Sequence, residues 1–209
     1  VIGGLDKQAG IECQVYTSEN NSWLFEFPSL PKGRFNSVCF VYRDSLYVFG
    51  GTDNSSNMNE IVRYDLSTQN SGEWTTIAKV NEANQRGGVA FVVEDKVYAG
   101  LGEKSSGIRN GFYVSSDSLT KWEPIPSIPA QLGVISSGVY DEQKKSFFMI
   151  DNDGKIWEYN LTTAQWTSRS LWIRMKNYHM FMLDGSIYIL GQDIYQKNKF
   201  TVYNPIWDN

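Results

Sequence analysis

Few residues in this chain are equipped for chemistry. The 209 residues include one histidine, His179, and two cysteines, Cys13 and Cys39. A Ser-His-Asp arrangement would have to use His179, and no G-x-S-x-G elbow serves it. No CxxC pair points to a metal. The cysteines read as two small buried side chains, with a single disulfide as the alternative. The DNDG stretch at 151–154 offers three oxygen ligands beside a glycine. No glutamate follows at the twelfth position of a calcium loop, so it reads as a turn. No metal, cofactor or catalytic residue is assigned.

The remaining candidates are cations, amides and one acid: Arg34, Asn36, Arg86, Gln131, Lys176, Asn177 and His179, with Glu103 and Arg109 in polar stretches. Three cations converging on one spot can hold a carboxylate, a sulfate or a sugar acid, and arginine does so bidentately. The same groups can instead cap loop carbonyls or pair with nearby acids such as Glu82, as exposed charges usually do. Which use applies depends on the elements that carry them.

Those elements repeat. Apolar runs ending near glycine recur as VIGG (1–4), LYVFGG (46–51), VYAGLG (97–102), FFMIDN (147–152) and IYILGQ (187–192). Each is followed by a run carrying a tyrosine: Tyr16, Tyr64, Tyr113, Tyr159 and Tyr203, spaced by 48, 49, 46 and 44 residues. A tryptophan follows seven to ten residues later at Trp23, Trp74, Trp122 and Trp166. FPSLP (27–31) and IPSIP (125–129) close two of the units.

Each unit reads as four short strands. In the cleanest, strand a is SVCFVY (37–42), and Arg43-Asp44 turns into strand b, SLYVFGG (45–51). A polar loop, 52–59, leads to strand c, EIVRYD (60–65), and a second turn leads to strand d, WTTIAKV (74–80). Strands a and b are almost continuously apolar, which predicts burial on both faces. No helix of three turns is expected. The fold class is therefore all-β, a β-propeller of four-stranded blades. One small sheet cannot bury two apolar faces alone, whereas sheets packed around an axis cover one another. The expected units are 1–31 (partial), 34–80, 86–128, 132–170 and 175–209 (partial): three complete blades flanked by two partial ones.

Gly50-Gly51, the polar loop after it, Tyr64 and Trp74 resemble the Kelch motif, and Tyr159-Asn160-Leu161-Thr162-Thr163-x-x-Trp166 resembles its tyrosine-to-tryptophan turn. The resemblance covers essentially the whole chain and implies a Kelch-type propeller. The glycine pair survives only in the first two units, a divergence similar to that of bacterial Kelch proteins. SSDSLTKW (115–122) is similar to a sialidase Asp-box, but Leu119 replaces its glycine and no other unit repeats it. Such propellers place ligands at the channel mouth, where residues leading into strand a and the b-to-c loops converge. That geometry gathers Arg34, Asn36, Arg86, Lys176, His179, Glu103 and Arg109 as ligand-binding residues.

The expected function is recognition of a protein or glycan through that ring face, without catalysis. The alternative implied by the resemblance is a sugar mutarotase or epimerase of the sialic-acid mutarotase kind; a structural assembly module is the third. A copper centre like that of galactose oxidase needs two histidines. Lys and Arg are scattered and the formal charge is −4, which disfavours nucleic acid. No 18-residue apolar run suggests a membrane span. The truncated outer units predict that missing blades or a partner chain cover the open blade faces. The bacterial resemblance implies a secreted or periplasmic location.

Overall fold

The computed structural model describes residues 1–68, 70–108, 111–116, 118–128, 135–172, 175–193 and 195–203. Nineteen strands dominate, with single 3₁₀ turns at Leu66–Thr68 and Asn81–Ala83. In chain order they are β1 (Cys13–Thr17), β2 (Ser22–Phe27), β3 (Val38–Tyr42), β4 (Ser45–Phe49), β5 (Glu60–Asp65), β6 (Thr75–Lys79), β7 (Val89–Val93), β8 (Lys96–Gly100), β9 (Glu103–Lys104) and β10 (Gly107–Ile108). They continue as β11 (Phe112–Ser116), β12 (Glu123–Ile125), β13 (Ile135–Asp141), β14 (Ser146–Asp151), β15 (Lys155–Asn160), β16 (Gln165–Trp172), β17 (Lys176–Leu183), β18 (Ser186–Gln192) and β19 (Asn198–Tyr203).

The pairing is meander-like throughout. β3-β4-β5-β6, β7-β8-β11-β12 and β13-β14-β15-β16 are four-stranded antiparallel sheets, β17-β18-β19 has three strands, and β1-β2 has two. These are the blades, numbered one (β1-β2) to five (β17-β19). The a-to-b hairpins are tight where the sequence permits positive φ: Arg43 and Asp44 at 45° and 54°, Asp184 and Gly185 at 49° and 73°. Two consecutive left-handed residues match the right-handed twist of the flanking strands. At the c-to-d turns, Asn160 Oδ1 accepts bonds from the amides of Thr162 and Thr163, and Asp65 Oδ1 accepts from the Ser67 amide. The Asn or Asp after the recurrent tyrosine is thus an Asx-turn residue.

Blade packing is sequential. Phe40, Tyr47, Phe49 and Ile61 of blade two bury against Val97, Ala99, Leu119 and Trp122 of blade three. Phe91 and Phe112 of blade three meet Phe147, Met149 and Tyr159 of blade four, with Phe91 and Phe147 stacked 4.3 Å apart. Phe148, Ile150 and Ile156 meet Met180, Ile187 and Ile189 of blade five. Each such phenylalanine contributes roughly 1.5–3 kcal/mol by leaving water.

The recurrent tryptophans serve these junctions in different ways. Trp74 Nε1 donates to Pro28 O at 2.9 Å and Trp166 Nε1 to Pro126 O at 2.6 Å. The two Pro-Ser-x-Pro stretches therefore give the next blade's tryptophan an acceptor. Trp122 donates instead to Leu119 O in its own turn and sets its edge against Phe49. Trp23 is largely exposed, a departure from its expected packing role.

Two further expectations need correction. Cys13 is buried but Cys39 is exposed, and both thiols are free. The continuous burial expected for strand a fails in β3, where Cys39 and Val41 are exposed between buried neighbours. Blade one contributes only β1 and β2 among the described residues, so no inner strand covers that side of β3.

Candidate functional site

The glycine pairs build the hub. Gly3 and Gly50 have φ of 62° and 64°, the left-handed region that glycine enters without strain. A Cβ on Gly3 would lie 2.3 Å from Arg34 O, and one on Gly50 would lie 2.6 Å from Gln85 O. The second glycine of each pair donates to that same carbonyl: Gly4 N to Arg34 O at 3.0 Å, Gly51 N to Gln85 O at 2.9 Å. Arg34 and Gln85 thus occupy one blade position, the carbonyl that each preceding glycine pair grips.

That correspondence moves Arg34 away from the channel. Its side chain is fully buried. Nη1 donates to Gly50 O at 3.2 Å, Nε donates to Lys32 O at 3.4 Å, and Nη2 lies 3.5 Å from Glu60 Oε2. Burial lowers its pKa and Glu60 opposes that shift. Gln85 is buried likewise, its Oε1 accepting from Gly102 N at 3.0 Å.

One residue further on, the positions open outward. Phe35 and Arg86 lead into β3 and β7, bridged to Thr52 and Glu103 of the b-to-c loops, and Lys176, the first residue of β17, pairs with Gln192 at the end of β18. Next come Asn36, Gly87 and Asn177, with φ of 51°, 68° and 54°. Asparagine and glycine tolerate this left-handed turn better than other residues. At Asn36 and Gly87 the turn swings the chain from loop into strand, and at Asn177 it falls within β17 where the pairing with β18 shifts register between Lys176 and His179.

An open cleft of about 830 Å³ lies between these lead-ins, lined by Asn36, Ser37, Arg86, Gly87, Gly88, Glu103, Ile135, Asn177, Tyr178 and His179. Arg86 donates through Nε and Nη2 to Glu103 Oε2 at 3.0 and 2.9 Å. Its acid is therefore Glu103, not Glu82. The backbones of the pair also bridge, Arg86 N to Glu103 O at 2.9 Å and Glu103 N to Arg86 O at 2.8 Å. Asn57 Nδ2 donates to Glu103 O at 3.0 Å, tying the blade-two loop to the same rim. Asn177 Nδ2 donates to Gln192 Oε1 at 3.1 Å. Tyr178 is buried, its hydroxyl accepting from Met175 N, and burial raises its pKa.

Of the residues expected at the mouth, Asn36, Arg86, Glu103 and His179 line this cleft, joined by Asn177. Lys176 lines a smaller neighbouring cavity of about 230 Å³ with Gln192 and Asp193. Arg109 and Gln131 lie outside the described residues. Ser37, Gly88 and Tyr178 were not anticipated. The left-handed Asn/Gly/Asn positions one residue before them are the signal that locates them.

Sheets of this topology around a polar hub define the class: the chain has the fold of a Kelch-type β-propeller, and residues 33–81 match the Kelch motif family. Among solved structures it is similar to one titled "Structure of YjhT". The two share 15% sequence identity over 97% of this chain and 80% of that one, with a TM-score of 0.77. That likeness establishes the fold. A comparison with curated proteins returns no match.

Proposed function

We propose that this protein is a recognition propeller whose hub cleft binds a neutral, hydroxyl-rich ligand such as the end of a glycan. The observation that carries this reading is charge balance. Arg86 is neutralised by Glu103 at 2.9 Å, and Arg34 is spent inside the blade junction, so among the described residues that line the cleft there is no unpaired lysine or arginine to clamp an anion. What it offers is donors and acceptors side by side: the amides of Asn36 and Asn177, the guanidinium–carboxylate pair and His179. Sugar hydroxyls use both kinds of partner, whereas an anion would have to displace Glu103 from Arg86. The test is a glycan array followed by titration calorimetry. Neutral glycans are expected to bind, and Asn177→Ala to weaken them about tenfold, the worth of one or two hydrogen bonds. Absence of glycan binding, or binding of acidic sugars alone, refutes it.

One observation favours a second reading, mutarotation. A carboxylate, Glu103, and an imidazole, His179, line the same cleft, and proton transfer at an anomeric hydroxyl needs such groups within hydrogen-bond reach. NMR exchange between sugar anomers, accelerated by the protein and abolished by Glu103→Gln or His179→Ala, would establish it. Exchange at the uncatalysed rate removes it.

A further inference from the structure

In blades two, three and four, one strand-c position faces the next blade beside an aromatic residue of strand b. It is Arg63 beside Tyr47, Val114 beside Tyr98 and Glu158 beside Phe148. In two of these blades the position holds a bonded charge. Arg63 donates through Nε to Ser45 Oγ at 2.9 Å and lies 3.3 Å from Asp65. Glu158 accepts from Arg169 Nε at 2.8 Å. Blade three has only a valine there. A cavity of about 550 Å³ opens at that place, lined by Tyr98 and Val114 from blade three and by Tyr159 and Leu161 from blade four. Its volume is in the range of small-molecule sites, and both blades that form it are complete, four-stranded sheets.

The polar groups of this cavity are unspent. Tyr159 is only 3% exposed, yet among the described residues its hydroxyl has no hydrogen-bond partner. Its counterpart in blade two, Tyr64, uses the same atom to accept from Gly72 N at 3.0 Å. The Tyr98 hydroxyl is unbonded as well. Burial raises the pKa of both phenols, and Tyr98 adds to the shift at Tyr159, so both remain protonated donors at neutral pH. Lys96 and Lys121 line the same cavity, and neither makes an ion pair among the described residues. Ser115 Oγ donates to Lys121 O at 2.6 Å, which holds that turn against β11. Glu123 is the one carboxylate in the lining, so two lysines and one glutamate leave a single net positive charge.

We propose that this cavity between blades three and four is a second ligand site, separate from the hub, for a small monocarboxylic acid with an apolar body. The carboxylate is met by the two ammonium groups and the two phenol donors, the charge-assisted bonds being the strong ones. The body lies on Val114, Ile125 and Leu161. One net positive charge suits one carboxylate, and Glu123 repels a dianion. A buried hydroxyl left without a partner is costly, and an acceptor bound here removes that cost at Tyr159.

Phenylacetate titrated into isotope-labelled protein and followed by NMR tests this. The methyl signals of Val114, Ile125 and Leu161 are expected to shift and saturate, while the amides of Gly87 and Gly88 at the hub stay in place. Phenylacetamide keeps the ring and lacks the charge, and is expected to bind about tenfold more weakly. Lys121→Ala and Tyr159→Phe are each expected to weaken phenylacetate severalfold. Val114→Arg, which installs the blade-two residue, is expected to abolish binding; circular dichroism checks its fold, and Val114→Met carries the same expectation if it does not fold. The absence of saturable shifts at millimolar phenylacetate overturns the proposal. So do equal affinities for acid and amide, shifts confined to the hub, inorganic phosphate bound as tightly as phenylacetate, or binding indifferent to Lys121→Ala and Tyr159→Phe.

Discussion

Replacing Gly50 with alanine isolates the energy of the hub contact between blades. Two costs are expected. The first is conformational: φ of 64° places an L-residue in the left-handed region at roughly 1–2 kcal/mol. The second is spatial. The new Cβ would stand 2.5 Å from Ala83 O and 2.6 Å from Gln85 O, both backbone atoms that no side-chain rotation can move. Relief requires shifting the chain that leads into blade three, and overpacking of this kind costs roughly 1–3 kcal/mol. Gly185→Ala is the matched control, since Gly185 has φ of 73° but nothing within 4 Å of its Cβ position. It carries the first cost alone. The difference between the two variants, about 2 kcal/mol, corresponds to roughly 4–8 °C in Tm for a chain of this size. Thermal melts followed by circular dichroism, with urea titrations beside them, read it directly. Equal losses in the two variants would refute the reasoning, because the blades would then not press on each other at Gly50.

Two further outcomes are expected. Burial pushes the Cys13 thiol up to about 11. Cys39 is exposed, yet desolvation raises its thiol as well, with a hydrogen bond from Ser37 opposing. Native protein at pH 8 should therefore consume no more than one equivalent of a thiol reagent, more slowly than a free thiol, and denatured protein two; two equivalents in the native state would contradict the burial of Cys13. Asp53 is held well below the ordinary aspartate range, first by Lys32, then by the hydroxyl and amide of Ser55 and the amide of Ser56. Its ordering of the 52–58 loop should be complete above pH ~4 and lost as pH falls through its lowered value. Ser55 and Ser56 amide shifts report the transition, and Asp53→Asn should show the low-pH spectrum at neutral pH.

The fold was legible because blade packing imposes recurrence. Each tyrosine fixes a c-to-d turn, and Trp74 and Trp166 each seek a proline carbonyl 46 or 40 residues earlier, so these residues recur in one order. Arg86, Glu103, Asn36 and His179 were legible as neighbours because each leads into a strand or leaves one at the same end of its blade. Arg34 was not. It precedes β3 much as Arg86 precedes β7, but a one-residue offset turns it inward, and only the glycine-to-carbonyl bonds reveal that Gln85 is its counterpart. The exposure of Cys39 and Val41 was hidden for a similar reason. An alternating strand is apolar on both sides whether or not a neighbouring blade supplies the inner cover.

The bonds from Gly4 to Arg34 O and from Gly51 to Gln85 O run around the circumference, not along any sheet. They tether the first two blades to the chain just before Asn36 and Arg86. A blade that leans outward must therefore pull the adjacent rim residue with it. The aperture at the hub is set by how the blades lean together, so pressure on the outer edge of one sheet is felt by whatever sits at the centre.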